Sequence, residues 1–235
     1  GDVVLMCETG AFSDWWKEMA EAFGITVEYL PGDWRHGADP DAVEAHLAED
    51  KARRIKAVAV VHNETSTGVL SRAAEIRHAI DNAGHPALFM LDVISSLASM
   101  DVRVDEWQVD VGVGGSQKGL MLPPGMSFTA VSEKAFRASQ SARQSRSYWD
   151  WTALLPDGRT PAFTCTPAIN LMFGLREAID MLTEEGLDNV FARHARLAEA
   201  VRRAVAAWGL ELWSADPREH SNSVSTILVP DGHDA

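Results

Sequence analysis

Apolar residues follow two patterns along this chain, short unbroken runs and stripes at helical spacing, and the two alternate. Val3, Val4, Leu5 and Met6 open the series as a strand. Residues 13–23 follow as a helix, with Ser13 or Asp14 placed to cap it and Trp16, Met19, Ala20 and Phe23 on one stripe. Residues 25–30 read as a short strand closed by Pro31 and Gly32, and Asp39 followed by Pro40 starts a helix running to about Asp50. Residues 56–62 are an apolar run of the kind buried on both faces, 71–83 a helix ending at Gly84, 86–92 a second buried strand and 109–114 a further short one. The character then changes: 168–185 and 187–208 are long helices parted by Gly186, and 223–229 is strand-like up to Pro230, Asp231 and Gly232. Strands separated by helices of this length predict an α/β fold with a mostly parallel sheet.

Composition narrows the setting. Apolar residues make up 46% of the 235, enough for a substantial core, and no segment is biased toward disorder. A net charge of −13 argues against nucleic acid or an anionic membrane as partner, because both would repel it. No apolar run reaches membrane-spanning length, and two cysteines, Cys7 and Cys165, are too few for a disulfide framework or a four-cysteine metal site. These features predict a soluble protein of a reducing compartment, the cytoplasm. The chain enters a strand almost at Gly1 and stops soon after another at 223–229, so it is expected to be a piece of a longer one.

In a parallel sheet, ligands gather where strands end and loops begin. Three polar clusters lie at such ends: His62 to Gly68, Asp92 to Ser96, and Gly114 to Leu120. Singly, each has a plain explanation, Asp92 as a helix cap, Lys118 as a solvated loop lysine, the Thr/Ser run as a turn. Together they suit pyridoxal phosphate, which needs a lysine amine to bond its aldehyde and an acid to pair with its ring nitrogen. Lys118 and Asp92 fit those roles, hydroxyls such as Ser116 or Thr67 could serve the phosphate or the ring oxygen, and the glycines around Lys118 would let backbone approach the cofactor.

The strings His62-Asn63-Glu64-Thr65-Ser66-Thr67-Gly68, Asp92-Val93-Ile94-Ser95-Ser96-Leu97 and Ser116-Gln117-Lys118-Gly119-Leu120 resemble the class V aminotransferases of fold type I, the serine–glyoxylate and aspartate–glyoxylate type in particular. The likeness runs over essentially the whole chain, including Glu8-Thr9-Gly10, Tyr148-Trp149-Asp150-Trp151 and Thr166-Pro167-Ala168. It implies a large cofactor domain over 1–165, with a sheet of the seven-stranded type, and connecting helices plus the start of a smaller C-terminal α/β domain over 166–235. It implies transamination from serine or aspartate, or alanine, to glyoxylate. By the same resemblance Lys118 carries the cofactor and shuttles the Cα proton, Asp92 pairs with the ring nitrogen, Ile94 packs on one ring face and Phe12 stacks on the other. Thr65 would approach the ring hydroxyl and Gln117 the phosphate, while Thr166 would reach the phosphate of a neighbouring subunit in a homodimer with shared active sites.

There are departures. Ala11 stands where the family usually has a histidine, and Phe163, Thr164 and Cys165 stand where an aromatic hydroxyl is expected. The family's phosphate loop and its carboxylate-gripping arginine would lie upstream of Gly1 and downstream of Ala235. Two alternatives follow, a weakly active or non-catalytic truncated fragment and a related desulfurase or lyase. The eight tryptophans are assigned to core or interface packing, and His194 and His220 lack ligand spacing, so no metal site is expected.

Overall fold

A computed structural model describes residues 2–155 and 163–233. Its centre is a six-stranded sheet ordered β2-β1-β3-β6-β7-β8. These are β1 (Val3–Cys7), β2 (Thr26–Leu30), β3 (Ile55–Val61), β6 (Leu88–Asp92), β7 (Val111–Gly115) and β8 (Ser127–Val131). The first five run parallel, and β8 closes the edge antiparallel to β7. A two-stranded hairpin, β4 (Asn63–Glu64) with β5 (Val69–Leu70), projects from the end of β3.

Helices cover both faces, which is why the central strands read as unbroken apolar runs. Alternation along β1 divides the core: Val3, Leu5 and Cys7 join Val58, Val60, Phe89 and Leu91 in the larger cluster. That cluster is completed by Val43 and Leu47 of α2 (Pro40–Glu49) and Ile76 and Ile80 of α3 (Ala73–Asn82). On the other face Met6 and Ala59 meet Ala20 and Trp16 of α1 (Ala11–Ala22).

The remaining helices are α4 (Glu133–Ser141), α5 (Trp151–Leu154), α6 (Ile169–Glu185) and α7 (Leu187–Ala207). Leu182 and Val190, from the pair flanking Gly186, pack on Ala98 beyond β6.

Several expectations need correction. The N-cap of α1 is Gly10, not Ser13 or Asp14; Ser13 sits inside the first turn, where its hydroxyl accepts from the Thr9 and Gly10 N–H groups at 3.0 and 3.1 Å. Met19 and Phe23, placed on the buried stripe, are 52% and 65% exposed, because the sheet reaches only the Trp16–Ala20 side of the helix. Residues 223–229 form no ladder; a single bridge, Leu212 to Ile227, is all that pairs there. No tryptophan is fully buried: Trp107 and Trp16 lean on the two clusters, while Trp15, Trp149 and Trp208 lie exposed. Strand β8 escaped the sequence reading because its Ser-Phe-Thr-Ala-Val pattern, on a half-exposed edge, contains no apolar run.

Candidate functional site

Parallel pairing gathers the three clusters. Val61 of β3 pairs with Asp92 of β6, and Asp92 pairs with Val113 of β7. Strands running in one direction end at one edge, so the loops that follow lie side by side.

Asp92 terminates β6. Its Oδ1 accepts the Ile94 N–H at 2.8 Å, and among the described residues Oδ2 has no hydrogen-bond partner. Burial pushes its carboxyl up to about 6; the Ile94 N–H opposes this and the nearby charge of Glu64 reinforces it. Beside it, His62 donates to or accepts from the Ser96 hydroxyl through Nδ1 at 2.8 Å and meets the Trp107 ring edge-on at 5.3 Å. Burial drives that imidazole down to about 4, so it is neutral at pH 7.

The loop after β3 is bound to the loop after β6 by hydroxyls and an amide. Thr65 Oγ1 and Ser95 Oγ are 2.5 Å apart, and Asn63 Nδ2 donates to Ser95 O and Ser223 Oγ at 3.2 and 2.8 Å. Asn63 Oδ1 is buried without a partner among the described residues.

The loop after β7 is shaped by close approach. A Cβ on Gly115 would lie 3.1 Å from Gln117 Oε1 and 3.4 Å from Ile94 Cγ2, which places those two side chains around one small cradle. A Cβ on Gly119 would lie 2.3 Å from Leu97 O and 2.5 Å from Ser99 Oγ, so the backbone beside Lys118 presses on the loop after β6. Lys118 itself is exposed. Together with Ser95, Ser99, Met121, Val190, His194 and Ser223, it lines a cavity of about 340 Å³.

Phe12, in the first turn of α1, is 36% exposed, with its ring edge-on to Trp15 at 5.0 Å. Its N–H donates to Glu64 Oε1 at 3.3 Å, which ties it to the loop carrying Thr65. Gln117 is exposed, and so is Thr166, which no hydrogen bond among the described residues links to the other predicted positions.

The structure therefore sets Thr65, Asp92, Ile94, Gln117 and Lys118 on the loops after three adjacent strands and ties the Phe12 backbone to the first of these loops; the cavity that Lys118 lines takes in Ser95 but none of the other predicted positions. Two hydroxyls considered for the ligand face inward instead. Ser116 Oγ donates to Pro123 O at 2.8 Å and accepts the Met126 N–H at 3.2 Å, holding the turn into β8; Thr67 Oγ1 donates to Thr9 O at 3.2 Å.

Sequence reasoning also passed over Glu64, fully buried and at the centre of the hydrogen bonds joining α1 to the site. A signal existed. A helix starting at Gly10-Ala11 has no capping side chain at its start, so its first N–H groups need acceptors from elsewhere.

Known proteins give independent bearings. A family model described as aminotransferase class-V matches residues 1–235. The chain is 47% identical to a serine–glyoxylate aminotransferase of Methylorubrum extorquens, over 100% of this chain and 60% of that protein. It is 44% identical to an L-aspartate–glyoxylate aminotransferase of Paracoccus denitrificans, over 100% of this chain and 59% of the relative. Among solved structures, an alanine–glyoxylate aminotransferase from Nostoc sp. superposes with a TM-score of 0.89 at 29% identity, covering 100% of this chain and 61% of the other. The chain thus spans about 60% of the length of the curated relatives it matches.

Proposed function

This chain belongs to the class V aminotransferases, and from that premise we propose that its cofactor is pyridoxal 5′-phosphate held on Lys118. The whole protein then transfers an amino group from serine or aspartate to glyoxylate, releasing glycine and an oxo acid. One observation carries the reading: a lysine loop and a half-buried aspartate, with an oxygen that no described residue engages, lie at the ends of adjacent parallel strands.

The residues present fit the cofactor. Asp92, raised by burial and with Oδ2 unengaged among the described residues, is suited to share the proton of a ring nitrogen. Gly115 lets the Ile94 and Gln117 side chains approach the backbone where a Cβ would press on Gln117 Oε1. When bound, pyridoxal phosphate supplies an aldehyde that captures amines and a ring that draws negative charge from the substrate's Cα.

The chain's own residues do the rest. Asp92 holds the proton at the ring nitrogen. With the cofactor bound, the Lys118 amine would serve as the base that takes the substrate's Cα proton and the acid that gives it back. Ile94 and Phe12 would hold the ring, Thr65, hydrogen-bonded to Ser95, would serve its hydroxyl, and Gln117 would serve the phosphate. Thr166, exposed ahead of α6, would serve the phosphate of a second copy in a homodimer. No helix among the described residues is long and apolar enough to cross a membrane, and two unpaired cysteines suit the cytoplasm.

The test is a titration of the full-length protein with pyridoxal phosphate, followed by borohydride reduction, peptide mass mapping and amino-donor assays. The cofactor should be fixed on Lys118, and Lys118→Ala should lose at least about a thousandfold in turnover with glyoxylate, the scale set by removing an essential proton-transfer group. Labelling elsewhere overturns the site; alanine release from cysteine with no oxo-acid acceptor overturns the reaction.

A further inference from the structure

We propose that Glu64 is a positioning residue of this site, fixing the first turn of α1, and with it the Phe12 ring, against the loop that carries Thr65. The inference rests on the cofactor reading above and adds a residue to it.

The Glu64 carboxylate is 0% exposed, and among the described residues all its donors are neutral. Oε1 accepts the Phe12 N–H at 3.3 Å, the Ser66 N–H at 3.1 Å and the Ser66 hydroxyl at 2.7 Å, and Oε2 accepts the Ser13 N–H at 3.2 Å. Ser66 Oγ in turn accepts the Ala11 N–H at 3.0 Å. The first turn of α1 has no capping side chain of its own at Gly10, so Glu64 and Ser66 supply its acceptors from 51 to 55 residues away in sequence. Every contact is donated toward the carboxylate, the arrangement a helix N-terminus favours for an anion.

Gly10 shows how tightly the two are fitted. A Cβ there would lie 2.5 Å from both Glu64 Cγ and Ser66 Oγ. Phe12 follows two residues later, and its own N–H is held by Glu64, so the backbone that carries its ring is anchored at this junction. The same carboxylate stands near enough to Asp92 for its charge to favour the protonated carboxyl, which places it electrostatically within the site as well as mechanically.

The proposal is tested in the full-length protein with Glu64→Gln, which keeps the shape but turns one acceptor oxygen into a donor facing N–H or O–H groups. The measurements are cofactor affinity by titration, visible circular dichroism per bound cofactor, and kcat and KM. The dissociation constant for pyridoxal phosphate should rise about tenfold, the worth of one charge-assisted hydrogen bond, and the visible dichroism should fall as the Phe12 platform loosens. A variant with lowered melting temperature but wild-type affinity and dichroism would show a role in folding alone and overturn the proposal.

Should Glu64→Gln fail to fold, Ser66→Ala decides. It removes one donor to Glu64 and the acceptor for Ala11, and must weaken affinity and reduce the dichroism; wild-type values sink the idea. If the wild-type protein carries no cofactor on Lys118, it is the family-based reading of the site that fails, an outcome visible before any variant is made.

Discussion

At the residue scale, Asp92 carries the clearest consequence. A carboxyl whose folded value rises to about 6 from an ordinary 3.8 favours the folded state below the lower value and loses that contribution as pH climbs through the higher one. Above about pH 6 the cofactor-free chain therefore holds a buried charge at a cost on the order of 2 to 3 kcal/mol. Asp92→Asn should make the cofactor-free protein more stable by that order above about pH 6, with the gain vanishing toward about pH 4. Urea midpoints for both proteins across that range check it; a gain independent of pH would assign the effect to packing. His62 runs the other way, losing stability as pH falls from 6.5 toward about 4, but it is common to both proteins and cancels in the difference. Asp92 and Lys118 stood out in the sequence because each sits in a polar string at the end of an apolar run, whereas Thr65 and Gln117 were named only through the family resemblance. Glu64 did not stand out, because an acid in such a string looks like any loop acid until the helix that needs it is known. Ser116 and Thr67 misled for the complementary reason: a hydroxyl's partners lie across the fold, and here they face inward.

At the element scale, ends differ in how local they are. Helix α2 carries its own start signal: Asp39 accepts the Asp41 N–H at 3.0 Å and Pro40 occupies the first turn. Asp39→Ala should cost about 1 kcal/mol, the usual worth of an N-cap, and thermal or urea denaturation would show it. Because that cap lies in the residues before the helix, its start was readable from the sequence. The start of α1 was misread because its acceptors come partly from Glu64 and Ser66, far along the chain. Strand β8 went unread for a similar reason: it exists by pairing with β7, from Val111–Val131 to Gly115–Ser127, rather than by an apolar pattern of its own. Its position is further fixed by Asp110, which receives the Ser132 hydroxyl at 2.7 Å and Lys134 at 3.2 Å.

At the scale of the whole molecule, the main core is well enclosed while several helix faces are not. Trp15 and Met19 on α1, Phe23 at its C-cap, Phe173 and Met181 on α6, Leu197 on α7 and Trp208 at the C-cap of α7 lie exposed. Apolar surface of that extent marks contact regions. The 235-residue chain by itself should accordingly bind a hydrophobic dye and self-associate in a concentration-dependent way on gel filtration; a monodisperse monomer that leaves the dye dark would contradict it. The sequence alone determined the order and type of most elements, because a buried strand or an amphipathic helix is written in local periodicity. It also marked the three polar strings, since polar residues directly after apolar runs have nowhere to go but the ends of strands. What only the tertiary structure decided was their convergence and their inner wiring. Parallel registry sets Val61, Asp92 and Val113 abreast, and glycines at 115 and 119 let the loops close on one another. Glu64, a residue with no local signature, joins helix to site, because a hydrogen bond between groups some fifty residues apart is a property of the packed fold and of no shorter stretch of chain.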